Sequence, residues 1–364
     1  MHKKAYSIYA VSLLAAVVLV FSLMGLFLPK ETVSQSERRK LTTLPPVTLQ
    51  SIQNGTLATN LETYTMDHFP FRESFRHLNA LSQYYLFWKK DNNGIYVEQG
   101  SAAKLLYPLN SNSVSAAEKK FRKIYETYLK GKAKKIVCAV VPDKGQFFSG
   151  CPKLDFNALT AQLAAGMDYA TLCDLTDTLT LDDYYRTDPH WRQERLFPTA
   201  QKIGAALGVS LNTSYEAQDA GVEFSGAYAG QGALLLKPDR MAYLTGGTLD
   251  SVSVTNLETN QPSGIYDWGK RTSRDPYSFY LSGSVAIMTL ENPNATGNRS
   301  LVLFRDSFGS AIAPYFSEAY RHITLIDTRY VSPALLERYV SFADCDVLFL
   351  YSTLLLNDSG ALKE

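Results

Sequence analysis

The stretch Thr187-Asp188-Pro189-His190-Trp191 holds one of the five histidines of this chain, with a carboxylate two residues before it. In an extended segment, side chains two apart share a face, which sets the Asp188 carboxylate beside the His190 imidazole. A carboxylate that orients an imidazole supplies two members of a hydrolytic triad. The missing member is a nucleophile, and Ser307 in Arg305-Asp306-Ser307-Phe308-Gly309 is the candidate. Acyl transfer through an acyl-serine is the chemistry such a set performs. Each piece also has a plainer reading. A serine before a helix is an ordinary N-cap. Thr187-Asp188-Pro189 reads as a turn or a cap, with His190 a polar residue packed beside Trp191. A metal site using Asp188 and His190 is disfavoured, because that spacing alone is unspecific; no metal is expected.

These residues need elements to position them. Ser307 follows the apolar run Leu301-Val302-Leu303-Phe304 and precedes a predicted helix over 308–320 that contains Pro314. Ligands of open α/β sheets bind outside the carboxyl ends of the strands. A helix N-terminus there offers unpaired N–H groups and a positive dipole end to an oxyanion. The Ser307 N–H is the expected donor and Gly309 the second candidate, since glycine lets the backbone approach a substrate. The runs 136–141, 323–326 and 347–351 predict further strands, and 115–130, 192–207 and 333–342 predict helices. That rhythm argues for a parallel sheet covered on both faces. Residues 209–300 are rich in Gly, Ser, Thr and Asn, with short alternating runs such as Ser251-Val252-Ser253-Val254, and read as a β-rich insertion or a subdomain. Residues 61–88 are aromatic-rich and predicted helical. Pro70 marks a helix start there, and His68 and His77 read as packing residues. Lys144, Tyr185, Arg305 and Gly309 flank strand ends or the motifs and are candidates for substrate contact, against the bland reading of packed or solvated side chains.

The chain begins with basic His2-Lys3-Lys4, and no charged residue occurs from Ile8 to Leu28. About 20 such residues span a bilayer as one helix. An uncleaved anchor with a cytoplasmic N-terminus is expected, a cleaved signal peptide being the alternative. The expected organisation is a cytoplasmic tip and anchor over 1–28, a linker over 29–60, and an extracytoplasmic domain over 61–364. A net charge of +1 supplies no basic field for nucleic acid. The four cysteines are scattered without a Cys-x-x-Cys pair. A zinc ribbon is therefore not expected, while a Cys138–Cys151 bridge is open in an oxidising compartment.

The Asp-Pro-His-Trp segment is similar to the motif that names the DHHW family of bacterial envelope proteins. Arg305-Asp306-Ser307-Phe308-Gly309 resembles the nucleophile block of the alginate O-acetylation proteins, an SGNH-hydrolase-like group. Ser36-Glu37-Arg38-Arg39-Lys40-Leu41 with Pro45, then Asp67-His68-Phe69-Pro70-Phe71-Arg72, then Val141-Pro142-Asp143-Lys144, resemble further family elements in the family's order. Pro189 stands where the family name has its first histidine. The glycine and asparagine of the usual SGNH oxyanion hole have no evident counterparts. The resemblance implies an SGNH-like α/β/α domain with Asp188, His190 and Ser307 as its triad. It implies acetyl transfer to an envelope or exported polysaccharide at the bacterial plasma membrane, with an acetylesterase or a non-catalytic glycan-binding scaffold as alternatives. It further implies an acetyl group handed over by a multi-span membrane-bound O-acyltransferase, with no cofactor bound to this chain.

Overall fold

The computed structural model describes residues 2–364. Met1 lies outside the described residues, as do the side chains of His2, Lys3 and Lys4, on which the expected orientation in the membrane rests. The chain divides into two units. One runs to Asn93 and includes Ala229–Leu235; the other comprises Gly94–Tyr228 and Leu236–Glu364.

The first unit contains helices α1 (His2–Phe27), α2 (Thr56–Asp67) and α3 (Arg72–Leu81), followed by a π-helical turn over Ser82–Leu86. Among the described residues one helix, Ile8–Phe27, is long and apolar enough to cross a membrane. The predicted helix over 61–88 is interrupted. Phe71 has a left-handed backbone (φ 58), so α3 starts after it and not at Pro70. Part of the expected linker is folded into this unit. Asp67 accepts from Arg39 Nη1 at 3.0 Å and from the Thr42 N–H and Oγ1 at 2.8 and 2.9 Å. The Arg39 guanidinium and the Thr42 donors hold the Asp67 carboxyl well below the usual range. Arg72 Nη2 reaches Glu37 at 2.6 Å. The two motifs on either side of residue 61 thus bond to each other, and that expected boundary falls inside the unit. His68 and His77 each spend a ring nitrogen on a backbone carbonyl, of Thr42 and Ala233.

The second unit is built on eight strands. In chain order they are β1 (Lys135–Val141), β2 (Thr171–Asp174), β3 (Ser253–Asn256), β4 (Gln261–Ser263), β5 (Ile287–Glu291), β6 (Arg299–Arg305), β7 (Tyr320–Ile326) and β8 (Asp346–Ser352). Their order across the sheet is β4-β3-β5-β7-β6-β8-β1-β2. β7, β6, β8, β1 and β2 run parallel, with Leu303 opposite both Leu325 and Leu348. β4, β3 and β5 add an antiparallel flank. Three short strands of 209–300, β3, β4 and β5, are therefore part of the main sheet. A separate ribbon, Glu216–Phe224 with Asp239–Thr245, comes from the same stretch.

Alternation along the parallel strands divides their side chains between two cores. Val137, Ala139, Leu301, Leu303, Leu348 and Leu350 enter one; Cys138, Val140, Val302, Phe304, Val347 and Phe349 enter the other. Helices α4 (Ser111–Ile124) and α5 (Phe156–Gly166) close the second core through Phe121 and Leu159. Helices α6 (Phe197–Leu207) and α7 (Gly309–Phe316) close the first through Ile203 and Ile312. The result is the expected α/β/α layering, and burial on both faces is why these strands read as unbroken apolar runs. Some boundaries differ. α6 starts at Phe197, which places Pro198 in its first turn, where a missing N–H costs nothing. Residues 333–338 form a 3₁₀ turn in place of the predicted helix. The four cysteines are free, with Cys138 turned into the core and not toward Cys151. Burial pushes the Cys138 thiol up to about 12.

Because β6, β8 and β1 are parallel neighbours in register, their carboxyl ends lie side by side. The segments leaving that edge carry Asp306-Ser307, Ser352-Thr353 and Asp143-Lys144.

Candidate active site

Three residues join β6 to α7. Asp306 organises them. Its Oδ1 accepts the Phe308 N–H at 3.0 Å, and its Oδ2 accepts the N–H and hydroxyl of Ser352 at 2.8 and 2.6 Å. The Gly309 N–H donates to the Asp306 carbonyl at 3.2 Å. The Ser307 N–H has no partner among the described residues, and Ser307 is partly exposed where its chain neighbours are buried. A Cβ at position 309 would lie 2.6 Å from the Arg305 Cβ, so glycine is what lets α7 start directly over the strand end.

The histidine sits in a loop closed by an antiparallel bridge between Tyr184 and Trp191. The Tyr185 N–H donates to the His190 carbonyl at 3.0 Å. Within the loop the segment is not extended. Asp188 Oδ1 accepts the His190 N–H at 3.2 Å, a side-chain-to-backbone turn. That turn brings the same oxygen within 2.6 Å of His190 Nδ1. The turn and the carboxylate–imidazole pair are one object. Asp188 Oδ2 accepts the Ala227 N–H at 3.0 Å, and the carboxylate is fully buried. On the far side of the ring, Nε2 is 2.8 Å from Ser307 Oγ. An ionised carboxylate only accepts, so Nδ1 carries the proton and Nε2 is left to accept from the serine hydroxyl. The imidazole lies flat on Tyr277, centroids 3.8 Å apart at 7°. The Trp191 indole N–H donates to the Phe308 carbonyl at 3.1 Å, linking the histidine loop to the serine turn.

Distant groups hold this loop. Lys144 is fully buried and gives its Nζ to the carbonyls of Tyr185, Arg186 and Asp188 at 2.7, 3.0 and 2.9 Å. Burial lowers its pKa to about 8, against the pull of Asp143, Asp188 and Asp239. Asp239 accepts the N–H groups of Arg186 and Thr187, both at 2.8 Å, and the Thr187 hydroxyl at 2.5 Å. Gly226 donates to Thr187 Oγ1 at 2.8 Å. A Cβ on it would stand 2.3 Å from the Asp188 Cβ.

The structure brings Asp188, His190 and Ser307 into one hydrogen-bonded line. It corrects the substrate-contact expectations. Lys144, Tyr185, Arg305 and Gly309 are all buried, with their polar groups bonded inside except the Arg305 Nε, which is buried without a partner among the described residues. The Tyr185 hydroxyl meets that of Tyr280 at 3.0 Å. Arg305 bonds the Gly283 carbonyl and the Ser310 hydroxyl, both at 3.2 Å, with Asp327 3.8 Å away. Burial lowers the Arg305 pKa. Gly309 spends its N–H inside the turn, which removes it as an oxyanion donor. Sequence reasoning missed Gly226, Ala227, Asp239 and Tyr277. No local pattern marks them, because each acts on the site from a distant segment. Among the described residues, no group of three or more His, Cys, Asp or Glu side chains could hold a metal ion.

The fold and this site together define an α/β/α protein with a serine–histidine–carboxylate line at the carboxyl edge of its parallel strands. No family model matches the chain, and no curated protein matches it. Solved structures do. A DHHW family protein from Eubacterium siraeum aligns with TM-score 0.61 and 21% identity, over 74% of this chain and 94% of that one. PatB1 of Bacillus cereus carrying a sulfonyl adduct aligns with TM-score 0.55 and 16% identity, over 74% and 97%. A second PatB1 structure aligns with TM-score 0.53 and 17% identity, over 72% and 96%. The chain has the fold of these proteins, as the motif resemblance implied.

Proposed function

We propose that this chain is an extracytoplasmic serine O-acetyltransferase acting on a cell-envelope or exported polysaccharide. The observation that carries the reading is the unbroken line from Asp188 through His190 to Ser307, with links of 2.6 and 2.8 Å. In the first half-reaction His190 Nε2 takes the hydroxyl proton as Ser307 Oγ bonds to the acetyl carbonyl carbon. The carbonyl oxygen becomes an oxyanion, and the unpartnered Ser307 N–H donates to it. Collapse of the adduct expels the leaving group with the proton from Nε2 and leaves acetyl on Oγ. In the second half-reaction a sugar hydroxyl gives its proton to Nε2 and its oxygen to the acetyl carbon. Oγ then departs and recovers the proton. Asp188 stays ionised throughout, holding the Nδ1 proton and stabilising the imidazolium. The Tyr277 ring face adds to that stabilisation.

The motif resemblance supports the acetyl group and the polysaccharide. The DHHW-like fold supports placing the chain with that family. A sulfonyl group is what a nucleophilic side chain acquires from a sulfonyl electrophile, so the PatB1 adduct supports a nucleophile on this fold. The Ile8–Phe27 helix serves as a single membrane anchor with the site outside. One span forms no path for a cytoplasmic acetyl donor, so a membrane-bound O-acyltransferase partner delivers the acetyl group and no cofactor resides on this chain.

The test uses the full chain in detergent with a chromogenic acetyl ester. Mass spectrometry is expected to find one acetyl group on the Ser307 peptide in wild type and none in Ser307→Ala. Acetylation that persists in Ser307→Ala sinks the reading. With a polysaccharide supplied, acetyl on the polymer identifies a transferase, and free acetate alone identifies an esterase.

A further inference from the structure

The first unit carries a second element suited to the membrane. Phe21 lies within the Ile8–Phe27 span, roughly 9 Å along the helix from its end. Its ring stacks on Phe69, centroids 5.4 Å apart at 8°, and meets the edge of Phe75 at 6.0 Å. Phe69 and Phe75 meet each other at 5.5 Å. The start of α3 is therefore held against α1 at a depth where a spanning helix is surrounded by acyl chains.

From there α3 and the turn after it present one apolar stripe. Phe71, Phe75, Leu78 and Tyr85 recur at helical spacing, and Trp88 follows. Leu78 is 62% exposed and Trp88 is 85% exposed, so beyond Phe75, which packs on Phe21 and Phe69, the stripe is largely uncovered among the described residues. The polar side of the same helix is satisfied within the unit. Arg72 reaches Glu37 at 2.6 Å, Arg76 donates to the Gly230 carbonyl at 2.7 Å, and His77 bonds the Ala233 carbonyl at 2.9 Å. A helix whose charges turn inward and whose large apolar side chains turn outward has the wrong arrangement for water. It has the right one for an interface. Tyr85 and Trp88 are the residue types that collect at headgroup level, and exposed Lys89 and Lys90 follow at once, suited to anionic lipid.

We propose that α3 and the following turn form a monotopic membrane element, its Phe71–Trp88 stripe inserted in the leaflet on the domain side. The partner is the lipid bilayer, favoured over a protein because the stripe is continuous with the spanning helix. The proposal rests on α1 crossing the membrane. Anchored at α1 alone, the unit is free to turn about the helix axis; with α3 inserted, that rotation is stopped.

The test reconstitutes the full chain in phosphatidylcholine–phosphatidylglycerol vesicles. Flotation after alkaline carbonate reports the span. Tryptophan emission in vesicles with dibrominated acyl chains reports α3. The chain has three tryptophans, and the difference between wild type and Trp88→Phe isolates Trp88. Trp88 is expected to lose about half its emission in brominated vesicles, as a ring roughly 5–10 Å into the headgroup–acyl boundary does. Leu78→Glu, at an exposed position, is expected to restore much of it without changing flotation. Failure to float overturns the span and this proposal together. Flotation with equal Trp88 emission in plain and brominated lipid overturns this proposal alone and assigns the stripe to a protein partner. Quenching indifferent to Leu78→Glu also overturns it.

Discussion

The turn that delivers Ser307 and the loop that delivers His190 are built in opposite ways. The turn is mostly local. Asp306 bonds Phe308, Gly309 bonds Asp306 and Ser310 bonds Ser307, with two reaches, to Ser352 at the end of the neighbouring strand and to the Trp191 indole. The loop depends on distant segments. Lys144, Asp239, Gly226 and Ala227 all hold it, and the Ala102 N–H adds a bond to the Arg186 carbonyl at 2.8 Å. The turn can form once β6 and α7 meet. The loop exists only when several segments have converged. Sensitivity to remote change therefore concentrates on the acid–base half of the site.

The largest effects test whether the two halves act as one unit. Ser307→Ala and His190→Ala are each expected to cost about four to six orders of magnitude in kcat, with the double variant no worse than either. Additive losses measured in steady-state assays would break the unit. Next comes a distant backbone contact. Gly226→Ala places a Cβ against Asp188, and its loss of kcat is expected to be about a thousandfold. Chemical denaturation should find it less stable by about 1–3 kcal/mol. Lys144→Met removes all three loop carbonyl bonds. It is expected to lower kcat about a hundredfold through misplacement of the imidazole and to cost about 3 kcal/mol of stability. Wild-type kcat with the melting transition lowered would show that the lysine serves the fold and not the loop's alignment.

A pH scan sharpens the same comparison, because two consequences of Lys144 have opposite signs. Above about pH 8 the folded protein releases a proton that the unfolded chain, with an ordinary value of 10.5, still holds. This group's contribution to stability therefore rises with pH between those values. The neutral amine has only two N–H groups for three carbonyls, so activity is expected to fall over the same range. Lys144→Met should lack both trends. The smallest effect belongs to Tyr277→Leu. Loss of the ring beneath the imidazole is expected to lower kcat/KM about fivefold, the scale of one stacking contact.

What was legible in the chain follows from how local its cause is. Strands β1, β6, β7 and β8 were readable because burial on both faces leaves unbroken apolar runs. Ser307 was readable as a strand-end residue before a helix. The Asp188–His190 spacing was readable too, although the turn that aligns them was not, since an extended segment satisfies the same spacing. Lys144 looked like a surface contact because a lysine after a strand normally reaches water. Three carbonyls arriving from the histidine loop, with the Asp143, Asp188 and Asp239 carboxylates, make its burial tolerable, and nothing near residue 144 encodes those carbonyls. Residues 209–300 looked like an excursion because short, polar strands at a sheet flank carry little apolar signal. Residues 36–42 looked like linker because Glu37 and Arg39 find their partners beyond the stretch mainly at Asp67, Arg72 and Arg76, which nothing near residue 40 encodes.

Gathering oxygen atoms around one positive centre is the way many loops hold a calcium ion, although calcium takes about six to eight oxygens and this ammonium takes three carbonyls. In this loop the cation is covalently part of the chain. It cannot be diluted away, chelated or exchanged for a competing ion, and no ambient ion concentration needs to be met before the loop takes shape. The loop around His190 thereby gathers its carbonyls without taking up an ion, for as long as Lys144 keeps its proton.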